Sequence, residues 1–163
     1  MWRVGILTVS DKGWRGERED RSGEAIRKLL PRINGQVAAY EIVPDERETI
    51  VACLIRMADQ QALDLVLTTG GTGLGPRDVT PEATQAVMER EVPGVAEAMR
   101  RASLEKTRFA LLSRQVSGIR GKTWIINLPG SPKAVQECLE AVLDILPHGL
   151  ETLQGHVGEH GQG

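Results

Sequence analysis

One stretch gathers the small residues of this chain beside an acidic one: Thr68-Thr69-Gly70-Gly71-Thr72-Gly73-Leu74-Gly75-Pro76-Arg77-Asp78-Val79-Thr80-Pro81. Glycines let a ligand approach the backbone closely, and exposed N–H groups before a helix N-terminus favour an anion. Two familiar phosphate motifs are absent. No Gly-Lys-Ser/Thr occurs, and Gly75-Pro76 breaks the spacing of a dinucleotide fingerprint, which would in any case open the first strand-to-helix turn. A glycine loop serving only to reverse the chain is the plain alternative.

Asp78 lies inside this loop, and Asp45 follows an earlier strand-like run. Two carboxylates beside a phosphate suggest Mg²⁺, which takes one or two carboxylates plus phosphate oxygens. For Asp45 a helix N-cap, with Glu48 three residues on, is the competing expectation. For Asp78 it is weaker, because Thr80 is placed to supply that cap. Pro129-Gly130-Ser131-Pro132 is a second candidate anion cradle, since it also leads from a strand into a helix. His148, His156 and His160 all follow the last expected strand, so no nucleophile–His site or His-rich zinc site is expected in the strand-end loops. Carboxylates and backbone amides without His point to phosphoryl or nucleotidyl transfer, a class run by positioning and charge neutralisation.

The elements that must position these residues follow from hydrophobic periodicity. Arg3 to Val9 reads as a strand, and Ser22 opens a helix with Ala25, Ile26, Leu29, Leu30 and Ile33 on one face, stopped at Gly35. Val37 to Val43 is a second strand, followed by a helix carrying Ile50, Val51, Leu54, Ile55 and Ala58. Leu63 to Thr69 is continuously apolar, as a central parallel strand should be. Helices are then expected from Thr80 and after Pro93-Gly94, and strands at Ala110–Val116 and Thr123–Leu128 around a turn at Ser117–Lys122. A final amphipathic helix begins at Ser131-Pro132 and is interrupted at Pro147. Alternation of strand and helix predicts an α/β fold: a mostly parallel central sheet flanked by helices in three layers, plus a small hairpin. One domain is expected over residues 1–154, with a flexible Gly-rich tail at 155–163 that includes His156 and His160.

Composition narrows the partners. The 163 residues are 40% hydrophobic and 26% charged, values of a globular chain. Twenty basic against 22 acidic residues, with only three Trp, one Tyr and one Phe, speak against a general nucleic-acid binder. The apolar runs are too short for a membrane-spanning helix, and a cytoplasmic protein is expected. Cys53 and Cys138 stand alone in helix-like stretches, as buried thiols rather than a disulfide or metal pair. Residues 1–32 hold eight basic and five acidic groups, a local excess suited to an anionic small ligand or to a solvated surface.

Several segments together resemble the MoaB/Mog family, which includes molybdopterin adenylyltransferases and the gephyrin G domain. They are Thr8-Val9-Ser10-Asp11, Glu19-Asp20-Arg21-Ser22-Gly23, Val43-Pro44-Asp45-Glu46, the Thr68–Pro81 loop, Leu112-Ser113-Arg114-Gln115 and Asn127-Leu128-Pro129-Gly130-Ser131-Pro132. The likeness runs from about Arg3 to Leu153. It implies a three-layer, usually trimeric α/β protein that transfers AMP from ATP to the terminal phosphate of molybdopterin, releasing pyrophosphate. The product would pass to the molybdate-insertion protein of the same pathway.

Carried over residue by residue, the resemblance implies nucleotide binding by Gly70, Gly71, Thr72 and Gly73. Asp45 and Asp78 match the family's functional aspartates, and Ser10, Asp11 and Pro129–Pro132 match its pterin side. Positive charge for the phosphates is expected from Arg77, Lys12 or Arg114. Three alternatives stay open: a non-catalytic molybdopterin-binding or assembly protein, a nucleotide pyrophosphatase on the same fold, and an interaction module with a structural Gly loop.

Overall fold

The computed structural model describes residues 1–156. Its framework is a six-stranded sheet in the order β2-β1-β3-β6-β5-β4. The strands are β1 (Trp2–Val9), β2 (Gly35–Val43), β3 (Leu65–Thr69), β4 (Arg90–Glu91), β5 (Ser117–Arg120) and β6 (Thr123–Leu128). The first four in spatial order are mutually parallel, while β5 and β4 add an antiparallel edge. This is the expected α/β sheet, with the hairpin built into it.

Strand alternation decides which helix goes where. Val4 and Ile6, Leu65 and Leu67, and Trp124, Ile126 and Leu128 point to one face. There they meet α2 (Arg21–Leu29), α5 (Pro93–Leu104), α6 (Pro132–Val142) and α7 (Leu146–Leu153). Leu7, Val9, Val66 and Ile125 point to the other, against α3 (Arg47–Ile55) and α4 (Thr80–Val87). Because β1, β3 and β6 are covered on both faces, their apolar runs are continuous. A short helix α1 (Asp11–Trp14) follows β1 directly.

Four local expectations are corrected. Gly35 does not stop the α2 segment: Pro31 converts its end to a 3-10 turn over Leu30–Ile33, and Asn34 takes the left-handed turn (φ 57°), leaving Gly35 to begin β2. Ala110–Val116 is not a strand. Residues Arg108–Leu112 form a 3-10 turn with Phe109 and Leu111 exposed, because Ser117–Arg120 occupies the pairing edge of β6. The hairpin loop is therefore Gly121-Lys122 alone, with Gly121 at φ 58° as such a tight turn requires. Thr80 is the first residue of α4 and not its cap; its N–H donates to the Gly71 carbonyl (3.1 Å). Asp45 caps no helix either, since α3 begins after Glu46 without a side-chain cap.

Cys53 and Cys138 are both buried free thiols. Burial, acting with the Glu41 charge, pushes Cys53 up to about 12, so it is inert at neutral pH. His156 ends the described residues with its N–H on the Glu151 carbonyl, and His160 lies outside them.

Candidate functional site

The parallel strands β1, β2, β3 and β6 deliver four loops to one edge of the sheet, where ligands of open α/β folds bind. They enclose a cleft of about 690 Å³. Of the residues singled out above, Ser10, Asp45, Gly70, Gly71, Asp78, Gly130, Ser131 and Pro132 line it. Asp11, Thr72, Gly73, Arg77 and Pro129 are not among its lining residues. Ser131 caps α6 by accepting from the Ala134 N–H (3.2 Å), and Ser10 caps α1 through the Gly13 N–H (3.0 Å). Both helix starts thus bring a hydroxyl to the rim.

The β1 and β2 loops are clasped by a reciprocal pair of hydrogen bonds. The Asp11 N–H donates to Asp45 Oδ2 (2.8 Å), and the Asp45 N–H donates to Asp11 Oδ1 (2.9 Å). Arg77 reaches from the Gly loop and forks onto both Asp11 oxygens (2.7 and 2.9 Å). Three loops far apart in sequence are therefore tied at one carboxylate.

The two aspartates respond oppositely. The Arg77 guanidinium, with the Asp45 N–H, lowers Asp11 to about 2. Burial, joined by the neighbouring Asp11 and Asp78 charges, raises Asp45 above the usual carboxylate value. A depressed folded pKa means that the stabilisation from Asp11 is present above its unfolded pKa and fades as pH falls toward about 2. Replacing Arg77 with Ala is expected to raise the Asp11 pKa into the ordinary range in a carboxyl NMR titration. An Asp11 that still titrates near its wild-type value in that variant would rule out the fork as the cause.

The glycine loop turns sharply. Gly70 (φ 98°) and Gly71 (φ 70°) are both left-handed, and a Cβ on Gly70 would lie 2.3 Å from the Val9 carbonyl oxygen. Asp78 Oδ2 accepts from the Gly75 N–H (2.9 Å) and folds the loop back on itself. Arg114 locks the outer side, donating to the carbonyls of Gly73 (2.8 Å) and Asp78 (2.7 Å) while pairing with Glu82. Arg77 and Arg114 are thus committed to loop architecture.

Cleft residues that the sequence reading did not place in the site are Thr8, Val9, Gly13, Arg18, Glu19, Asp20, Arg21, Ser22 and Thr69. Arg18 and Arg21 form no ion pair among the described residues and stand at the cleft as its available cations. Asp20 is held by three donors: Thr8 Oγ1 (2.7 Å), the Gly23 N–H (2.9 Å) and the Tyr40 hydroxyl. The Ser22 hydroxyl donates to the Gly130 carbonyl, joining the α2 start to the Pro129–Ser131 loop. The signal for Arg18 to Ser22 was the basic excess of residues 1–32, which fits either an anionic ligand or a solvated surface.

The donor set suits one hard cation with few protein ligands. Among the described residues no group of three or more His, Cys, Asp or Glu converges, so any metal here would rest on at most two carboxylates. A Cβ built on Gly71 would fall 3.4 Å from Asp45 Oδ1 and 2.3 Å from the Thr80 hydroxyl. Gly71 thus packs directly against these oxygens, with no room for a side chain. Carboxylate oxygens and water-accessible space fit Mg²⁺, which prefers one or two carboxylates and substrate phosphates.

Comparison with known proteins gives three findings. Residues 5–148 match the family described as a probable molybdopterin binding domain. The molybdopterin adenylyltransferase of Helicobacter pylori (strain ATCC 700392 / 26695) is 48% identical over 155 residues, covering 94% of this chain and 88% of that protein. The one from Escherichia coli (strain K12) is 41% identical over 156 residues, covering 91% and 79%. Among solved structures, the molybdopterin biosynthesis enzyme MoaB from Thermus thermophilus superposes with a TM-score of 0.90 at 59% identity, covering 95% of this chain and 98% of that one.

Proposed function

The chain belongs to the MoaB/Mog family of molybdopterin-binding domains, and from that premise we propose that it is a molybdopterin adenylyltransferase. It transfers AMP from ATP to the terminal phosphate of molybdopterin and releases pyrophosphate. The observation that carries this reading is the convergence of Asp45, Asp78 and the Gly70-Gly71 turn on one cleft at the carboxyl ends of the parallel strands.

The attacking group is a phosphate oxygen, anionic near neutral pH, so the reaction needs no general base. A cleft without a histidine suits that chemistry. The difficulty is bringing two anions together: like unit charges about 4 Å apart repel by roughly 4 kcal/mol at an effective dielectric near 20. Asp45 and Asp78 would hold Mg²⁺, which supplies neutralisation of the phosphate charge and orientation of the transferred group. Gly70 and Gly71, with Thr72 and Gly73 completing the same turn, hold the nucleotide, while Arg77 fixes the Gly loop to Asp11, which is itself clasped to Asp45. Arg18 and Arg21, which line the cleft without an ion-pair partner among the described residues, supply free positive charge. Ser10, Asp11, Pro129, Gly130 and Ser131 form the side facing the pterin.

In this reading residues 1–154 are the single working domain, and the protein acts in the cytoplasm as a homotrimer. It delivers its product to the molybdate-insertion protein of the pathway. No described helix is long and apolar enough to cross a membrane. Incubation of the purified protein with ATP, Mg²⁺ and molybdopterin should yield adenylated molybdopterin and pyrophosphate in equal amounts. Binding of molybdopterin without turnover would identify a carrier instead. AMP release from a dinucleotide in the absence of pterin would identify a pyrophosphatase.

A further inference from the structure

Directly behind Gly71, which lines the cleft, lies a polar group that nothing in the protein satisfies. Thr80 is fully buried, yet its Oγ1 has no hydrogen-bond partner. Among the described residues only two other buried side-chain atoms share that condition, Gln61 Oε1 and Gln115 Oε1; Thr80 differs from both in packing against Gly71 beside Asp45, two residues that line the cleft. Buried hydroxyls are nearly always paired, so an orphan beside a ligand site calls for a partner that arrives from outside.

The surroundings hold this hydroxyl in place. Asn127 Nδ2 donates to Thr68 Oγ1 (3.0 Å) and to Thr84 Oγ1 (2.9 Å), and Thr84 Oγ1 donates to the Thr80 carbonyl (2.9 Å). Asn127, Thr68, Thr84 and Thr80 are all 0% exposed, so the first turn of α4 is bolted to β3 and β6 from beneath. From above, the Thr80 N–H binds the Gly71 carbonyl. Gly71 must be glycine at that point, both for its φ of 70° and because a Cβ would strike Thr80 Oγ1 at 2.3 Å. Asp45 Oδ1 lies on the same side of Gly71, 3.4 Å from that Cβ position. A fixed, unpaired O–H at the amino end of an eight-residue helix is a preorganised donor for an anion.

We propose that Thr80 is a nucleotide-binding residue, its hydroxyl donating to an oxygen of the phosphate chain bound over Gly71. The proposal rests on the adenylyltransferase reading and adds to it a donor that stays unpaired until the nucleotide arrives. The fixed frame below explains why the donor does not relax to some other partner: Thr80 N, Thr80 O and the helix register are all already committed.

The test compares Thr80→Val, which keeps the shape and deletes the hydroxyl, with Thr80→Ser, which keeps the hydroxyl. Titration calorimetry with AMP and with ATP, each with and without Mg²⁺, should show about tenfold or greater weakening in Thr80→Val and recovery to within about threefold in Thr80→Ser, the scale of a hydrogen bond to a charged group. Thermal melting of the ligand-free protein separates this from a structural role. The Val variant should melt at or above the wild-type temperature, because it removes an unsatisfied polar atom, while its nucleotide-induced stabilisation shrinks. Equal nucleotide affinity in wild type and Thr80→Val would overturn the assignment, as would a loss of melting temperature that accounts for weakened binding. A wild-type protein with no affinity for AMP or ATP would overturn the functional reading itself, and this inference with it.

Discussion

Replacing Asp78 with Asn is expected to reduce adenylyl transfer by about 10²–10³-fold while leaving molybdopterin binding largely intact. The substitution is nearly isosteric, and the one structural duty of the side chain, accepting the Gly75 N–H, passes to the amide oxygen. The loop therefore keeps its shape. What disappears is a hard anionic oxygen at the cleft, and with it half of the carboxylate pair available to a cation. Removing that charge also relieves Asp45, which burial and the Asp11 and Asp78 charges hold above its usual pKa. Stability should thus be unchanged or slightly higher, which separates a chemical defect from a folding one. Single-turnover formation of adenylated molybdopterin reads the first quantity and a binding titration with molybdopterin the second. Activity within tenfold of wild type would remove Asp78 from the reaction.

Asp45→Asn is the instructive companion. Asp45 Oδ2 accepts the Asp11 N–H, so the same charge deletion there touches the clasp between two loops. A loss in the Asp45 variant alone mixes chemistry with architecture. A loss in the Asp78 variant does not.

Which parts of this site could be read along the chain follows from what is local and what is not. The Gly70–Asp78 loop is contiguous, and the apolar runs on either side place it at a strand end, so its position and its two aspartate neighbours were legible. Arg77 was readable as a cation but not as a partner of Asp11, 66 residues away. Only the sheet order, which sets β1 beside β3, brings those loops together. Arg18, Arg21 and Asp20 were obscured for a different reason. Their segment mixes charges in the manner of a solvated face, and its contact with the cleft depends on Asp20 being tied to Thr8 and on Ser22 meeting Gly130. Thr80 shows the converse failure: Thr-Pro reads locally as a cap, but the Gly71 carbonyl captures the Thr80 N–H and moves the helix start by one residue. In each case a tertiary hydrogen bond decided the role of a side chain whose local pattern fitted another.

Gly70→Ala should produce the largest stability loss of any single methyl added to the cleft. At φ 98° Gly70 occupies backbone space that a side chain strains against, a cost of about 1–3 kcal/mol by itself. The added Cβ would also lie 2.3 Å from the Val9 carbonyl oxygen, a backbone atom at the end of β1 that no rotamer change can move aside. Overpacking of this kind costs a further ~1–3 kcal/mol. The ends of β1 and β3 must separate, yet the Gly70 N–H is held by the Leu128 carbonyl of β6 (3.2 Å), so the strain spreads across three adjacent strands. A total of about 2–6 kcal/mol is a large share of the stability of a domain this size. Gly94→Ala is the matched control. It lies in α5 with no atom within 4 Å of the new methyl, and should change stability by less than about 1 kcal/mol, in the favourable direction if at all. Urea unfolding of the two variants beside wild type reads the contrast, and a Gly70→Ala protein as stable as Gly94→Ala would contradict the close packing of the loop on β1. The prediction joins fold to function, because the closeness that excludes a methyl at Gly70 is what lets the next residue, Gly71, sit directly above Thr80 and beside Asp45.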